Sequence, residues 1–249
     1  MLDVFFLSYH EPFADDNFQK LLKFAPLAKR VNGVKGFYAA HRRCAELSMT
    51  NNFYVVDADA IIVDEFNFNF TPSKNKQIWG QPESDLMYIW NSQNPINDLV
   101  YGYGGVKLIP KVPLLKSTDQ NQIDFTTGTN IKIKVENSIS NITAFNYDEF
   151  STWRAALREC VKLSTNLTNK QLKNETTLTQ EDIDKVLEST EHRLNIWCTT
   201  GANRQFGQYA IDGANYGKLY GQKHINNLSE LSKINNLEWI KNEFHEFYR

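Results

Sequence analysis

Apolar and polar positions follow two different periods along this chain, and the changes from one to the other predict its elements. Residues 2–8, rich in Val, Phe and Leu, alternate weakly, as a core strand does, and His10-Glu11-Pro12 breaks the run. A short helix is expected from Asn17 to Phe24. Phe37, Ala40, Cys44 and Leu47 recur at three- and four-residue steps, so residues 36–49 read as an amphipathic helix entered at Gly36 and ended by Thr50-Asn51-Asn52. Phe53-Tyr-Val-Val-Asp57 is apolar until its last residue, the mark of a strand buried on both faces.

Between about residues 70 and 145, short apolar pieces alternate with Gly and Pro. Leu86–Trp90, Val106–Ile109, Ile131–Val135 and Ile142–Phe145 read as strands, the third with Ile131, Ile133 and Val135 on one face and Lys132 and Lys134 on the other. Trp153, Ala156, Leu157, Cys160 and Val161 then follow helical spacing after Ser151, the expected N-cap. Residues 165–178 are polar and predict a loop. Thr179 and Asp182 form a capping box opening a helix that buries Ile183, Val186, Leu187, Leu194 and Trp197. One last amphipathic helix is expected through Leu231, Ile234, Leu237, Ile240, Phe244 and Phe247.

Strand, helix, strand within about 55 residues is the signature of an α/β sandwich with a largely parallel sheet. No repeat and no linker interrupts the chain, so one domain is expected over its 249 residues. With 41% hydrophobic and 13% aromatic residues and a formal net charge of −2, global disorder is excluded. Twelve glycines, seven prolines and three cysteines exclude collagen-like and disulfide-scaffold classes. No apolar run approaches a membrane span, and Asp3 stands where a secretory leader would carry Lys or Arg, so a soluble protein with free thiols at Cys44, Cys160 and Cys198 is expected. Near-neutral charge does not advertise nucleic-acid binding, although Lys29-Arg30, Lys35 and Arg42-Arg43 form local basic clusters.

Three segments carry candidate chemistry. Asp57-Ala58-Asp59 follows a buried strand, and strand carboxyl ends are where α/β sheets bind ligands. Residues two apart in an extended segment point to one side, so both carboxylates could face one Mg or Mn ion, whose shell is usually completed by substrate phosphates. The bland reading is a surface acidic turn. Asn32-Gly-Val-Lys-Gly36, leading into a helix, permits close backbone approach to an anion; the bland reading is a loop with a solvated lysine. Tyr101-Gly-Tyr-Gly-Gly-Val-Lys107 alternates rings and exposed amides, a platform for a sugar or an unstacked base, or a plain turn between strands.

In their order these pieces resemble a GT-A-type glycosyltransferase. Several stretches resemble the TET-associated glycosyltransferase family of bacteriophages: Lys29-Arg-Val-Asn-Gly-Val-Lys35, Tyr54-Val-Val-Asp-Ala-Asp59, Asn94-Pro-Ile-Asn-Asp-Leu-Val-Tyr-Gly-Tyr-Gly-Gly-Val-Lys-Leu108, Ser140-Asn-Ile-Thr-Ala-Phe-Asn146, Phe150-Ser-Thr-Trp-Arg-Ala-Ala-Leu-Arg-Glu-Cys-Val-Lys-Leu163, Phe206-Gly-Gln-Tyr-Ala-Ile-Asp-Gly213 and Tyr220-Gly221. The similarity spans about residues 2–221.

The resemblance implies a Rossmann-like αβα sandwich with a mixed, mostly parallel sheet. It also implies transfer of a sugar from a UDP-sugar donor to a hydroxymethylated pyrimidine in DNA, such as 5-hydroxymethylcytosine, in the cytoplasm of an infected bacterial host. On that reading Asp57 and Asp59 bind Mn or Mg, with His224 as a third ligand. Ser8, Tyr9, Glu11, Arg30, Lys35, Asp57, Gly104, Gly105 and Lys107 hold the donor. Asp98 and Asp148 are the candidate bases, each of which also reads as a turn or helix-entry aspartate. Arg42, Arg43, Arg154 and Arg158 would meet DNA phosphates. Two other readings compete: a glycosyltransferase acting on protein or polysaccharide, and a non-catalytic DNA-binding protein whose acidic pair is structural.

Overall fold

The computed structural model describes residues 1–102, 104–118, 123–165 and 179–249. The chain forms two compact units, the first built from Met1–Asn94, Val100–Gln120 and Gly128–Ala144, the second from Pro95–Leu99, Asn121–Thr127 and Phe145–Arg249. The polar segment expected as a loop lies, from residue 166 to 178, outside the described residues, as does Tyr103 of the Tyr/Gly segment. Among the described residues no helix is long and apolar enough to cross a membrane.

The first unit is α/β. Its elements begin β1 (Asp3–Ser8), α1 (Ala14–Phe24), β2 (Lys29–Asn32), α2 (Phe37–Leu47), β3 (Asn52–Asp57) and β4 (Ala60–Ile62). They continue through a small hairpin, β5 (Gln77–Ile78) and β6 (Gln81–Pro82), to β7 (Met87–Gln93), β8 (Val100–Tyr101), β9 (Val106–Pro110) and α3 (Lys111–Lys116). After α4 (Phe125–Gly128), whose first three residues belong to the second unit, comes β10 (Ile133–Thr143).

The main sheet has the order β2-β1-β3-β9-β7-β10-β4, with β8 beside β7. β1 lies parallel to both β2 and β3, and β7 is parallel to β10; β9 runs antiparallel between β3 and β7, and β4 and β8 are antiparallel to their neighbours. Five strands therefore point one way and β4, β8 and β9 the other. The predicted mixed sheet, mostly parallel in strand direction and flanked by helices, is present.

Period-two alternation assigns the two faces of this sheet. Val4, Phe6, Tyr54, Val56, Tyr88, Trp90, Val106 and Leu108 form one core with Ala14 and Leu21 of α1 and with Ala25 just after it. Phe5, Phe53 and Val55 point the opposite way, where α2 packs and Phe5 meets Phe53 edge-on at 5.7 Å. Each such side chain contributes about 1.5–3 kcal/mol by leaving water, which is why β3 carries no polar residue between Phe53 and Val56. With α1 and α2 on opposite faces, the chain leaves β1 towards β2 and later returns past it to β3. The carboxyl ends of β1 and β3 thus flank a topological switch point, where open α/β sheets form a crevice.

Several boundaries differ from the sequence pattern. α1 begins at Ala14, not Asn17. Residues 131–135 and 142–145, expected as two strands, belong largely to one bulged strand, β10, with Val135 exposed, Ile131 ahead of it and Phe145 beyond it. The basic segment 29–32 forms β2, whose polar side chains concealed an edge strand.

The second unit is helical: α5 (Glu149–Ser164), α6 (Gln180–Thr199), α7 (Gly207–Lys223), α8 (Leu228–Ser232) and α9 (Leu237–Phe247). Asp148, not Ser151, caps α5, its carboxylate accepting the Ser151 N–H at 2.6 Å. The Thr179–Asp182 capping box is formed as expected. The single terminal helix is instead α8, a 3₁₀ turn at Lys233–Asn235, and α9, restarted by Asn236 as N-cap.

No periodicity announced α7, because four glycines interrupt it. Three of them make it possible: a Cβ at Gly213, Gly217 or Gly221 would fall inside contact distance of Trp153 O, Leu157 O or Ser164 Oγ on α5. The two helices thus approach to backbone distance along an i, i+4, i+8 stripe, and that close packing offsets a helix cost of about 1 kcal/mol per glycine.

Candidate functional site

The carboxyl ends of β1, β2 and β3 bring together most of the residues expected to hold a donor. Ser8 ends β1, and its hydroxyl donates to Asn32 Oδ1 (2.8 Å) while accepting from Arg30 Nε (2.8 Å). Arg30 also pairs with Asp15 on α1 and lies over the rings of Phe6 and Phe18. Ser8 and Arg30 are therefore one hydrogen-bonded group. Beyond β1, Tyr9 is exposed beside His10, and its N–H donates to Glu11 Oε2 at 2.7 Å. After β2, Lys35 projects into solvent from a loop whose Gly33 and Gly36 take φ of +74° and +91°. Those glycines meet a conformational demand rather than a spatial one, since a Cβ on either would touch nothing.

Asp57-Ala58-Asp59 is a turn from β3 into β4 rather than the extended segment expected, so period-two geometry does not govern its two carboxylates. The backbone of this turn is pinned at every residue. Asp57 N–H donates to Gly105 O (2.9 Å), Ala58 O accepts from Asn17 Nδ2 (2.9 Å), and Asp59 O accepts from Ala144 N–H (2.7 Å).

Asp57 is gripped by Lys107 Nζ at 2.7 and 2.9 Å. Lys107 sits on the central strand β9 with its side chain 5% exposed, whereas that of Asp57 is 35% exposed. Lys107, expected to touch a donor, thus serves first as the internal counter-charge of Asp57. Gly105 is required by close approach: a Cβ there would lie 2.6 Å from Asn141 Nδ2. Asn141 is itself fully buried, accepting hydrogen bonds from Ser92 and Ser140 at 2.8 Å. Gly104, at φ +82°, turns the chain into β9.

The Asp59 carboxyl is displaced from its ordinary value. Desolvation, then the negative charges of Asp57 and Glu11, push its carboxyl up to about 6 against the partial relief of Lys107. Among the described residues no three His, Cys, Asp or Glu side chains are grouped so as to hold a metal unaided. The donor set still suits a hard cation of the Mg type, which binds through one or two carboxylates and completes its shell with substrate phosphates and water.

The remaining predicted residues have the following places. In the first unit, Arg42 donates to Leu115 O (2.9 Å), and both Arg42 and Arg43 pair with Glu46, so both make intramolecular contacts. In the second unit, Asp98 stands at φ +57° and pairs with Arg204 at 2.9 Å. Asp148 is the cap of α5. His224 ends α7 with its ring 4.6 Å from that of Tyr220. Arg154 and Arg158 are half-buried rather than free on a helix surface, Arg158 donating to Asn235 at 2.9 Å.

Sequence reasoning missed Asn17, Asn32 and Asn141, the amides that fix this loop system. Asn17 had left a signal: it shares the buried face of α1 with Ala14 and Leu21, at helical steps where a polar residue needs a partner. A cleft of about 550 Å³ lies elsewhere in the first unit, among Glu65, Phe66, Phe70, Trp90 and Glu136, and none of the predicted site residues lines it. No protein-family model matches the chain, and no curated protein matches it in sequence.

Proposed function

We propose that this protein is a metal-dependent glycosyltransferase that moves a sugar from a UDP-sugar onto the hydroxymethyl group of a modified pyrimidine, 5-hydroxymethylcytosine, in phage DNA within an infected bacterial host. One observation carries the reading most: a backbone-pinned acidic turn at the switch point of an α/β sheet, whose Asp59 carboxyl is destabilised as an anion by burial first and then by its neighbours Asp57 and Glu11. Such a site gains from a cation and from the diphosphate that accompanies it. The resemblance in the surrounding motifs supplies the donor and acceptor classes.

In the transfer, the acceptor hydroxymethyl oxygen bonds to the anomeric carbon as the bond from that carbon to the diphosphate breaks. The nucleoside diphosphate departs with the electron pair. The hydroxyl proton passes to a base, for which the sequence offers Asp98 and Asp148. A cation held by Asp59, with Asp57 and Glu11 around it, would stabilise the leaving diphosphate. Ser8 and Arg30, locked together, and Tyr9, exposed, would meet the nucleoside, and Lys35 a phosphate. A duplex acceptor would have to present its base outside the stack.

The test is mass spectrometry of hydroxymethylcytosine DNA after incubation with a panel of UDP-sugars and manganese. One sugar is expected to add its mass to modified DNA and not to plain cytosine DNA, and Asp59→Ala is expected to reduce turnover at least ~10²-fold, as loss of a charge-stabilising group does. Equal incorporation into both DNAs, or into neither, overturns the acceptor.

The bidentate grip of Lys107 on Asp57 favours a second reading, in which the acidic pair is structural and the protein only binds DNA. That reading predicts that Asp59→Ala leaves DNA affinity and its salt dependence unchanged and that no UDP-sugar is turned over.

A further inference from the structure

The β5–β6 hairpin carries a residue that its turn does not favour. Ile78 pairs with Gln81, so Trp79 and Gly80 form a two-residue turn, and both have positive φ, +51° and +74°. Such turns favour Asn-Gly, because a bulky side chain in the left-handed region is strained. Gly80 meets that demand and Trp79 does not. The indole also stays 47% exposed, so burial does little to offset the strain. The hairpin is nonetheless firmly held. Lys132 Nζ donates to Trp79 O at 3.2 Å, and Glu83 N–H donates to Lys76 O at 2.7 Å. The Glu83 carboxylate accepts from Lys76 Nζ (2.9 Å) and Ser73 N–H (3.0 Å). A large ring is therefore displayed on a fixed mount. Beside it, Gln81, Asp85, Lys116, Asn130 and Lys132 line a cleft of about 250 Å³ in the same unit.

We propose that Trp79 and this cleft are a docking site for an unstacked DNA strand, with the indole stacked on one base, Lys116 and Lys132 meeting phosphates, and Gln81, Asn130 and Asp85 facing base edges. The site rests on the DNA acceptor proposed above only for the strand being DNA. A ring beside ammonium groups is the combination a single strand calls for, since every base has a π-face and every linkage a negative charge. A neutral glycan would cover the ring and leave the lysines without counter-charges. The Asp85 carboxylate suits the exocyclic amine of cytosine or adenine. This is not the reaction centre. Asn52, the first residue of β3, donates to Ser84 O (2.8 Å) next to Asp85 and pairs with Pro110, from which α3 leads to Lys116. The cleft therefore lies where β3 begins, and the acidic turn follows the other end of that six-residue strand, on the order of 20 Å away. A strand engaged at both places spans several nucleotides, so the hairpin would hold the DNA while the turn works on a base further along.

The test needs neither UDP-sugar nor modified base, so docking can fail while sugar transfer stands, and the reverse. The probe is a fluorescein-labelled single strand of cytosine and thymine, about 12 nucleotides long, read by anisotropy with the full-length protein. Wild type is expected to bind with an affinity that falls as salt rises. Trp79→Asn puts in the turn a residue its φ favours, so it should unfold no earlier than wild type and yet bind at least about 5-fold more weakly. Trp79→Phe keeps a ring and should retain most of the affinity lost by the asparagine variant. Lys116→Gln should weaken binding and flatten the log–log salt slope by about 0.7, the share of one phosphate on a single strand. Unchanged affinity in Trp79→Asn overturns the proposal. So does a wild-type protein that leaves the strand unbound, since the hairpin then faces a protein or a glycan. Irradiation of wild-type protein on the same strand carrying 5-bromouracil should crosslink it to Trp79, and crosslinks confined to other residues overturn the proposal however the variants fold.

Discussion

The acidic turn of the first unit and the α5–α7 contact of the second both depend on glycine, and they use it for opposite ends. In the first unit, Gly105 lets a backbone come against the buried amide of Asn141, which helps hold Asp57 opposite Lys107. Space is made there so that charge can be placed. In the second unit, Gly213, Gly217 and Gly221 let two helices touch along their backbones, and no charge is placed by it. One region is organised by electrostatics and the other by volume. They should therefore fail in different ways when perturbed, the first with a dependence on pH and partner charge and the second without.

The largest expected effect comes from unpairing the buried ammonium. Asp57→Ala leaves Lys107, with a side chain 5% exposed, without its counter-charge, and should cost about 3–5 kcal/mol in urea unfolding. Lys107→Met leaves behind a carboxylate that water already reaches, and should cost less, about 1–3 kcal/mol. Equal costs for the two variants would mean that exposure does not govern this pair.

Next in size is Gly217→Ala. At an exposed helix site this change is stabilising, but here the added carbon presses on Leu157, and a net loss of about 1–3 kcal/mol is expected. The loss should be the same at pH 4 and pH 8. A variant as stable as wild type would show that α5 and α7 have room to separate.

Asp59→Asn should act in the other direction and only at high pH. Because folding raises the Asp59 carboxyl to about 6, its stabilising contribution is present at low pH and is lost as pH rises through about 6. The neutral amide escapes that loss, so the variant should match wild type below about pH 4 and exceed it by about 1–2 kcal/mol at pH 8, the half-buried site being partly screened by water. By the same linkage, Mn binding to the wild-type protein should strengthen as pH rises through about 6. A flat difference between variant and wild type across this range would remove the case that burial, with repulsion from Asp57 and Glu11, raises the Asp59 carboxyl.

The smallest effect separates a cap from a base. Asp148→Ala should lose about 1 kcal/mol with the N-cap of α5, whereas Asp148→Asn keeps a capping oxygen and should leave stability unchanged. If the asparagine variant, folded normally, loses glycosyl transfer, Asp148 is the base; if it transfers at the wild-type rate, the cap is its whole role and Asp98 is the residue to test.

The sequence by itself determined the elements whose reason is local or one-faced. Phe53–Val56 had to be a doubly buried strand because four apolar residues in succession have no other place. Thr179 and Asp182 had to open a helix because each satisfies the backbone donor that the other end leaves bare. The position of Asp57 at a strand end followed from the same run. What sequence could not determine was anything fixed by partners distant in the chain. Asp57 looked free for a cation until β9 brought Lys107 to it from fifty residues away. Asn17 shares the buried face of its helix with Ala14 and Leu21, but only the fold shows that its partner is the Ala58 carbonyl, forty-one residues away. The glycines of α7 argued against a helix, since propensity counts only the chain's own entropy; the close packing that outweighs it belongs to α5. Local energetics is written in neighbouring residues and can be read there. The partners of a buried charge, a buried amide or a missing side chain are chosen by the fold.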